Sequence, residues 1–241
     1  MTDALEAHLR HQIEHSQRFF WHRLRWQAVR HYLPEGPFEM IDVGAGAGLL
    51  GTFLARDRPE ATYRFVEPID SLRESLRSRY GAHADAGSDE SYRTASLVTL
   101  LDVLEHQRDD HGFMKGLVSK MAPGSTLLVT VPALERLWSQ WDVALGHFRR
   151  YDKPMLLRCL DDLPLVVQEA SFLFPELLPL AMIRRRRHNA SHGGDASEDA
   201  EFPEIPRVAN ETLYLLGRLA FSMRRRWPAG TSLFLSATVE R

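Results

Sequence analysis

The sequence predicts an α/β protein, a mainly parallel sheet with helices on both faces. Three observations predict it. Between residues 38 and 135, short apolar runs of strand length alternate with helical stretches. A Gly-x-Gly-x-Gly turn at Gly44, Gly46 and Gly48 joins the first run to the first following helix. An acid, Glu67, closes the second run.

Taken in order, residues 5–33 carry an amphipathic helical pattern that is rich in aromatics and stops at Pro34-Glu35-Gly36-Pro37. Residues 38–43 read as a buried strand and 49–56 as the helix after the glycine turn. A second strand and helix follow at 63–67 and 69–79. Residues 81–94 are polar and fit a short strand with a loop. Residues 97–101 form a strand, 110–121 a helix, and 126–131 a strand stopped by Pro132. Beyond these come a helix at 155–162, a strand at 165–171, a helix at 208–223 and a final strand at 232–239. Residues 184–206 are Arg-rich, then acidic with Gly, Ser and Pro, and read as a mobile loop.

Composition narrows the class. The 241 residues suit one domain, and 44% hydrophobic content supplies a full core. Lys and Arg (30) nearly balance Asp and Glu (32), so no nucleic-acid partner is expected. Cys159 is the sole cysteine, which excludes an internal disulfide and fits a reducing compartment. Residues 1–18 are too polar for a signal peptide, and the apolar run 171–183, broken by two prolines and Glu176, is too short to span a bilayer. A cytoplasmic location follows.

A glycine turn of this kind cradles a ribose or phosphate by letting a ligand lie against backbone. A dinucleotide site prefers Gly-x-Gly-x-x-Gly, whereas position 49 is Leu and the third glycine is Gly48. Glu67 lies 23 residues after Gly44, where a carboxylate accepts hydrogen bonds from ribose hydroxyls. Its bland alternative is a solvated acid at a strand end.

Four segments in register carry a resemblance. They are Ile41-Asp42-Val43-Gly44-Ala45-Gly46-Ala47-Gly48, Phe65-Val66-Glu67-Pro68, Leu101-Asp102-Val103-Leu104-Glu105-His106, and the stretch from Met121-Ala122-Pro123-Gly124 to Pro132. Together they resemble class I S-adenosylmethionine-dependent methyltransferases. The resemblance implies a Rossmann-like, seven-stranded sheet with the last strand antiparallel, beside residues 165–171. It adds an N-terminal helix and a helical insertion before that last strand. It divides the single domain into an N-terminal helical cap (1–36), a cofactor-binding core (38–135) and an acceptor-side region (136–241). By the same resemblance Asp42, Gly44, Ala45, Gly46 and Gly48 border the cofactor's amino-acid moiety, and Glu67 with Pro68 takes the ribose. Leu101 and Asp102 line the same site, and Asp85 meets the adenine amine. Where the family often has Asp before the fourth strand, this chain has Ser96.

Asp102, Glu105 and His106 stand at i, i+3 and i+4, and would share one face of a helical turn. Two carboxylates and an imidazole there could hold a divalent cation. The spacing is similar to the metal site of ubiquinone-pathway O-methyltransferases and of methyltransferases acting on small-RNA 3′ ends. The alternative is a metal-free turn lining the cofactor. Downstream, Gly146-His147-Phe148-Arg149-Arg150-Tyr151 resembles the acceptor-side loop of bacterial small-molecule methyltransferases. His147 suits a general base near neutral pH, or orients a substrate hydroxyl, or completes a cation site with His106, which is itself a catalytic candidate. The bland reading is a loop histidine, with Arg149 or Arg150 tying the loop to a carboxylate.

Phe19, Phe20, Trp21 and Trp26, with Trp138 and Trp141, favour a hydrophobic or aromatic small-molecule acceptor. Residues 171–187 pass from apolar to four successive arginines. They cover the acceptor pocket or touch an anionic membrane surface. Arg224, Arg225 and Arg226 read as cations at a helix C-terminus. The expected activity is methyl transfer from S-adenosylmethionine, with O-methylation favoured. The rivals are an NAD-type oxidoreductase and a non-catalytic binding protein of the same fold.

Overall fold

A computed structural model describes residues 16–87, 89–190 and 205–240. Helix α1 (Phe20–Arg30) leads into strand β1 (Glu39–Val43), α2 (Leu49–Asp57), β2 (Thr62–Val66) and α3 (Asp70–Tyr80). Then come α4 (Asp89–Thr94), β3 (Leu97–Leu101), α5 (Asp110–Val118) and β4 (Thr126–Pro132). The last part holds α6 (Gln140–Ala144), α7 (Lys153–Arg158), β5 (Leu165–Leu173), α8 (Leu178–Ala190), α9 (Arg207–Ser222) and β6 (Ser232–Val239).

The strands form one sheet in the order β2-β1-β3-β4-β6-β5. β1 pairs in parallel with β2 and β3, and β3 with β4, while β6 runs antiparallel between β4 and β5. The expected antiparallel last strand is therefore present, in the expected place. The expected seventh strand is not: among the described residues the sheet has six. Residues 82–84 make a 3-10 turn and residue 85 contributes a single parallel bridge to Phe65. Residues 81–94 hold no apolar run that could pair as a strand, so one bridge is all the ladder gains there.

Alternation along each strand feeds two apolar layers. Ile41, Val98, Leu127, Val129 and Leu235 face Met114 and Leu117 of α5. Met40, Leu97, Leu128 and Phe234 face Leu24 and Val29 of α1 and Leu50 and Leu54 of α2. Such residues are buried nearly completely, each contributing roughly 1.5–3 kcal/mol.

The amphipathic pattern at 5–33 is an α-helix over Phe20–Arg30, preceded by a 3-10 turn at Ser16–Arg18; residues 1–15 lie outside the described residues. α1 packs on α9. The Phe20 amide donates to Asn210 Oδ1 at 2.9 Å, Arg23 pairs with Glu211 at 2.7 Å, and a Cβ at Gly217 would sit 2.2 Å from Leu24. Two expectations for the last third change. Residues 184–190 continue helix α8 rather than a loop, since arginine is a strong helix former; 191–204 lie outside the described residues. Arg224 is more than a cation at the end of α9. It is buried and pairs with Glu169 of β5 at 2.7 Å, which Arg225 and the Tyr32 hydroxyl also reach.

Candidate active site

The glycine turn leaves β1 with Gly44, Gly46 and Gly48 all in the left-handed region, at φ 71°, 53° and 71°. An L side chain is strained there. A Cβ at Gly44 would lie 2.5 Å from Val103, and one at Gly48 2.4 Å from Leu76. Those two glycines therefore admit the chain's own side chains. Gly44, Ala45 and Gly46 line the large cavity beside the sheet, whereas Gly48 does not. Gly48, expected to border the cofactor's amino-acid moiety, is thus placed off the cavity wall.

That cavity has a volume of about 910 Å³ and runs from the glycine turn to α1, the 139–150 loop and α8. Glu67 lies on its wall, 4% exposed, with Oε2 accepting from the Gly46 amide at 2.7 Å and Oε1 from the Ile69 amide at 2.9 Å. Burial raises its pKa more than these amides lower it. Each carboxylate oxygen keeps a lone pair free for a further donor. Pro68 and Leu101 line the same wall. Asp42, 3% exposed, accepts from Thr99 at 2.9 Å and Tyr63 at 3.0 Å; burial pushes it up to about 6. Asp85 is not brought in. It does not line the cavity, and Arg77 holds its carboxylate at 2.7 Å.

Asp102 departs from the helical turn expected of residues 102–106. Its φ is 60°, and the 3-10 turn starts only at Leu104. Its carboxylate accepts from Thr130 at 2.9 Å and pairs with Arg25 of α1 at 3.0 Å. The structure groups Glu105 and His106 with His147 instead, their ligand atoms lying within 4.8 Å of one another. Glu105 is 1% exposed, and neither carboxylate oxygen has a hydrogen-bond partner among the described residues. Burial, with Asp102 and Asp142 nearby, lifts its pKa far above the usual carboxylate range. Burial and His147 together depress His106 to about 4, so its imidazole is neutral. The two rings meet edge to face at 4.8 Å between centroids.

His147 is held by Asp142, which the sequence reading left unassigned. Its Nδ1 is 2.9 Å from Asp142 Oδ1. Asp142 is fully buried, yet hydrogen bonds from His147 and Arg150 outweigh its burial and keep its pKa below the ordinary value. The Ser139 amide donates to its other oxygen at 2.9 Å. A Ser-x-x-Asp capping pattern at 139–142 was the sequence signal for it. Both arginines of the motif tie the loop down, Arg150 to Asp142 at 2.8 Å and Arg149 to Asp110 at 2.7 Å. Arg25 was also missed; nothing local in the sequence links it to Asp102, 77 positions away. Phe19, Phe20, Trp21, Trp26 and Trp141 line the cavity, and Trp138 does not.

The methyltransferase-domain family model matches residues 10–170. No curated protein matches the sequence. Among solved structures, a chain of the Haloferax volcanii complex containing the Trm112 methyltransferase activator is similar at 16% identity, TM-score 0.62, covering 99% of this chain and 96% of that one. Haemonchus contortus phosphoethanolamine N-methyltransferase 2, bound to phosphomonomethylethanolamine and S-adenosylhomocysteine, is similar at 14% identity and TM-score 0.56, covering 92% of this chain and 53% of that one. The [4+2]-cyclase SpnF is similar at 16% identity and TM-score 0.56, covering 91% and 80%. At such identities the likeness shows a shared fold. The chain belongs to the methyltransferase-domain family and is an S-adenosylmethionine-dependent methyltransferase. The nicotinamide reading of the glycine turn falls with that assignment.

Proposed function

We propose that the enzyme methylates a hydroxyl oxygen of a small, hydrophobic or aromatic acceptor, with His147 as general base. The observation that carries this reading is the Asp142–His147 hydrogen bond of 2.9 Å at the cavity wall. An ionised carboxylate only accepts, so Nδ1 donates the proton of this bond, and in the neutral ring Nε2 is the proton acceptor. Arg150 and Ser139 hold Asp142 in place, which fixes the ring orientation.

The cavity fits S-adenosylmethionine through the Gly44–Ala45–Gly46 backbone, Asp42 and the two-pronged Glu67. The bound cofactor supplies a methyl group already activated by a sulfonium. The protein's own work is to align the acceptor, exclude water and take one proton. Phe19, Trp21 and Trp141 supply apolar wall, and His147 takes the hydroxyl proton onto Nε2. Asp142 then faces an imidazolium, a charge it stabilises.

A second reading is favoured by Glu105. A buried carboxylate with both oxygens unpartnered fits a divalent cation shared with His106 and His147. Under that reading the cation would sit on Glu105 and the two imidazoles, while Asp102 stays with Arg25. If the purified enzyme holds no stoichiometric metal and EDTA leaves turnover intact, the cation reading fails.

The main test is methyl transfer from labelled S-adenosylmethionine to a panel of phenols, hydroxylated lipids and amines. Products methylated on oxygen are expected. His147→Ala and Asp142→Asn should each lower turnover about 10²–10⁴-fold, with cofactor affinity unchanged. Methylation confined to nitrogen or carbon, or full turnover by His147→Ala, would reject the reading.

A further inference from the structure

Helix α9 is apolar on two sides. Its inner side, with Asn210, Gly217 and Ala220, packs on α1. Its outer side exposes Val208 (81%), Leu215 (62%) and Leu219 (63%). These stand at i, i+7 and i+11, within roughly 40° of one another on the helix. A soluble surface helix normally keeps that side polar; here Thr212, whose hydroxyl bonds Val208 O at 2.9 Å, interrupts an otherwise apolar stripe of the kind that marks a contact surface. Leu180, Met182 and Ile183 of α8 are also exposed, at 46–60%. Both helices border the cavity, α8 through Leu180 and Arg185 and α9 through Leu213.

The charges beside the stripe decide what it meets. Arg207, Arg218 and Arg226 are exposed around α9, and Arg185 is exposed on α8. Glu211 is the only acid in α9, and Arg23 already pairs with it at 2.7 Å. An apolar stripe flanked by cations matches the apolar interior and anionic headgroups of a lipid surface. Among the described residues no helix is long and apolar enough to cross a membrane, so contact is from one side.

We propose that the outer faces of α9 and α8 dock on an anionic membrane. Val208, Leu215 and Leu219 enter the headgroup boundary, the arginines meet lipid phosphates, and the cavity mouth opens toward the bilayer. A lipophilic acceptor then reaches the cavity from the bilayer. Docking itself stands independently of the acceptor reading, because vesicle binding is measured without methyl transfer.

The experiment is cosedimentation of the full chain with vesicles of phosphatidylglycerol and phosphatidylcholine, and with phosphatidylcholine alone. Pelleting with the anionic vesicles only is expected, weakened as added salt shortens the screening length. Neutralising Arg207 or Arg218 should weaken binding about fivefold each. Leu215→Asp with Leu219→Asp should abolish it. Unchanged S-adenosylhomocysteine affinity and thermal midpoint in each variant establish that it is folded. Failure of the folded wild type to bind anionic vesicles overturns the proposal. So does a dimer in solution that Leu215→Asp dissolves without any vesicle binding, which assigns the stripe to a second copy. Binding seen only after Asp195, Glu198, Asp199, Glu201 and Glu204 are neutralised would mean the chain covers its own face, and also overturns it.

Discussion

The wall we assign to the cofactor and the wall we assign to the acceptor are built in opposite ways. The cofactor wall comes from the ends of adjacent parallel strands and the turns after them. Its key contacts join near neighbours, such as Gly46 to Glu67 at 2.7 Å and Asp42 to Thr99 at 2.9 Å across paired strands. The acceptor wall is gathered from α1, the 104–106 turn, the 139–150 loop and α8. It is held by pairs between elements that no strand ladder joins, such as Arg25 to Asp102 and Arg149 to Asp110. A wall fixed by the sheet holds a constant cofactor. A wall assembled from added segments can change its acceptor without disturbing the sheet.

The comparison can be broken first at the glycine turn. Gly48→Ala adds a Cβ at φ 71° and 2.4 Å from Leu76. Backbone strain and overpacking together should cost about 2–4 kcal/mol in denaturant unfolding. A loss below about 0.5 kcal/mol would mean the turn is not constrained by its own packing.

A pH titration sharpens the same wall. Asp42 is pushed up to about 6 in the folded protein against an ordinary 3.8, so its ionised form is disfavoured by folding. That penalty is full above about 6 and fades as pH falls through 6 toward 3.8. Asp42→Asn should therefore be more stable than wild type at pH 7, by about 3 kcal/mol at most, with the gap closing near pH 4. Parallel unfolding curves at several pH values check this, and a gap independent of pH would contradict it.

The smallest effect belongs to the acceptor wall. Ser139→Ala would delete the hydroxyl bond to Asp142 Oδ2 at 3.3 Å and keep the amide one. It should cost about 1 kcal/mol and lower turnover several-fold, while cofactor affinity holds. Equal turnover would mean that Asp142 needs no such support.

What the sequence disclosed follows the same division. Strands 97–101 and 232–239 match β3 and β6 residue for residue, because dense apolar runs bounded by turns leave little choice. The place of Glu67 beside the glycine turn was legible because strand end and turn fix its distance. The seventh strand failed because 81–94 offers only a bridging residue at Asp85. Asp102 failed as a helical-face ligand because its φ of 60° turns it toward Thr130 and Arg25. No periodicity encodes a left-handed residue that is not glycine. The position of His147 at the cavity was legible and its partner Asp142 was not, since a buried capping acid and a solvated one read alike. The basic end of α8 read as loop because arginines show no apolar period, although they favour helix.

The most direct measurement is calorimetric titration of S-adenosylhomocysteine into wild type, Glu67→Ala and His147→Ala. Glu67→Ala should weaken binding by about 1–3 kcal/mol, the loss of charge-assisted bonds to the ribose. His147→Ala should bind as wild type does, since its work lies on the acceptor side. Unchanged affinity in Glu67→Ala, or an equal loss in His147→Ala, would contradict the division of the cavity into a cofactor wall and an acceptor wall.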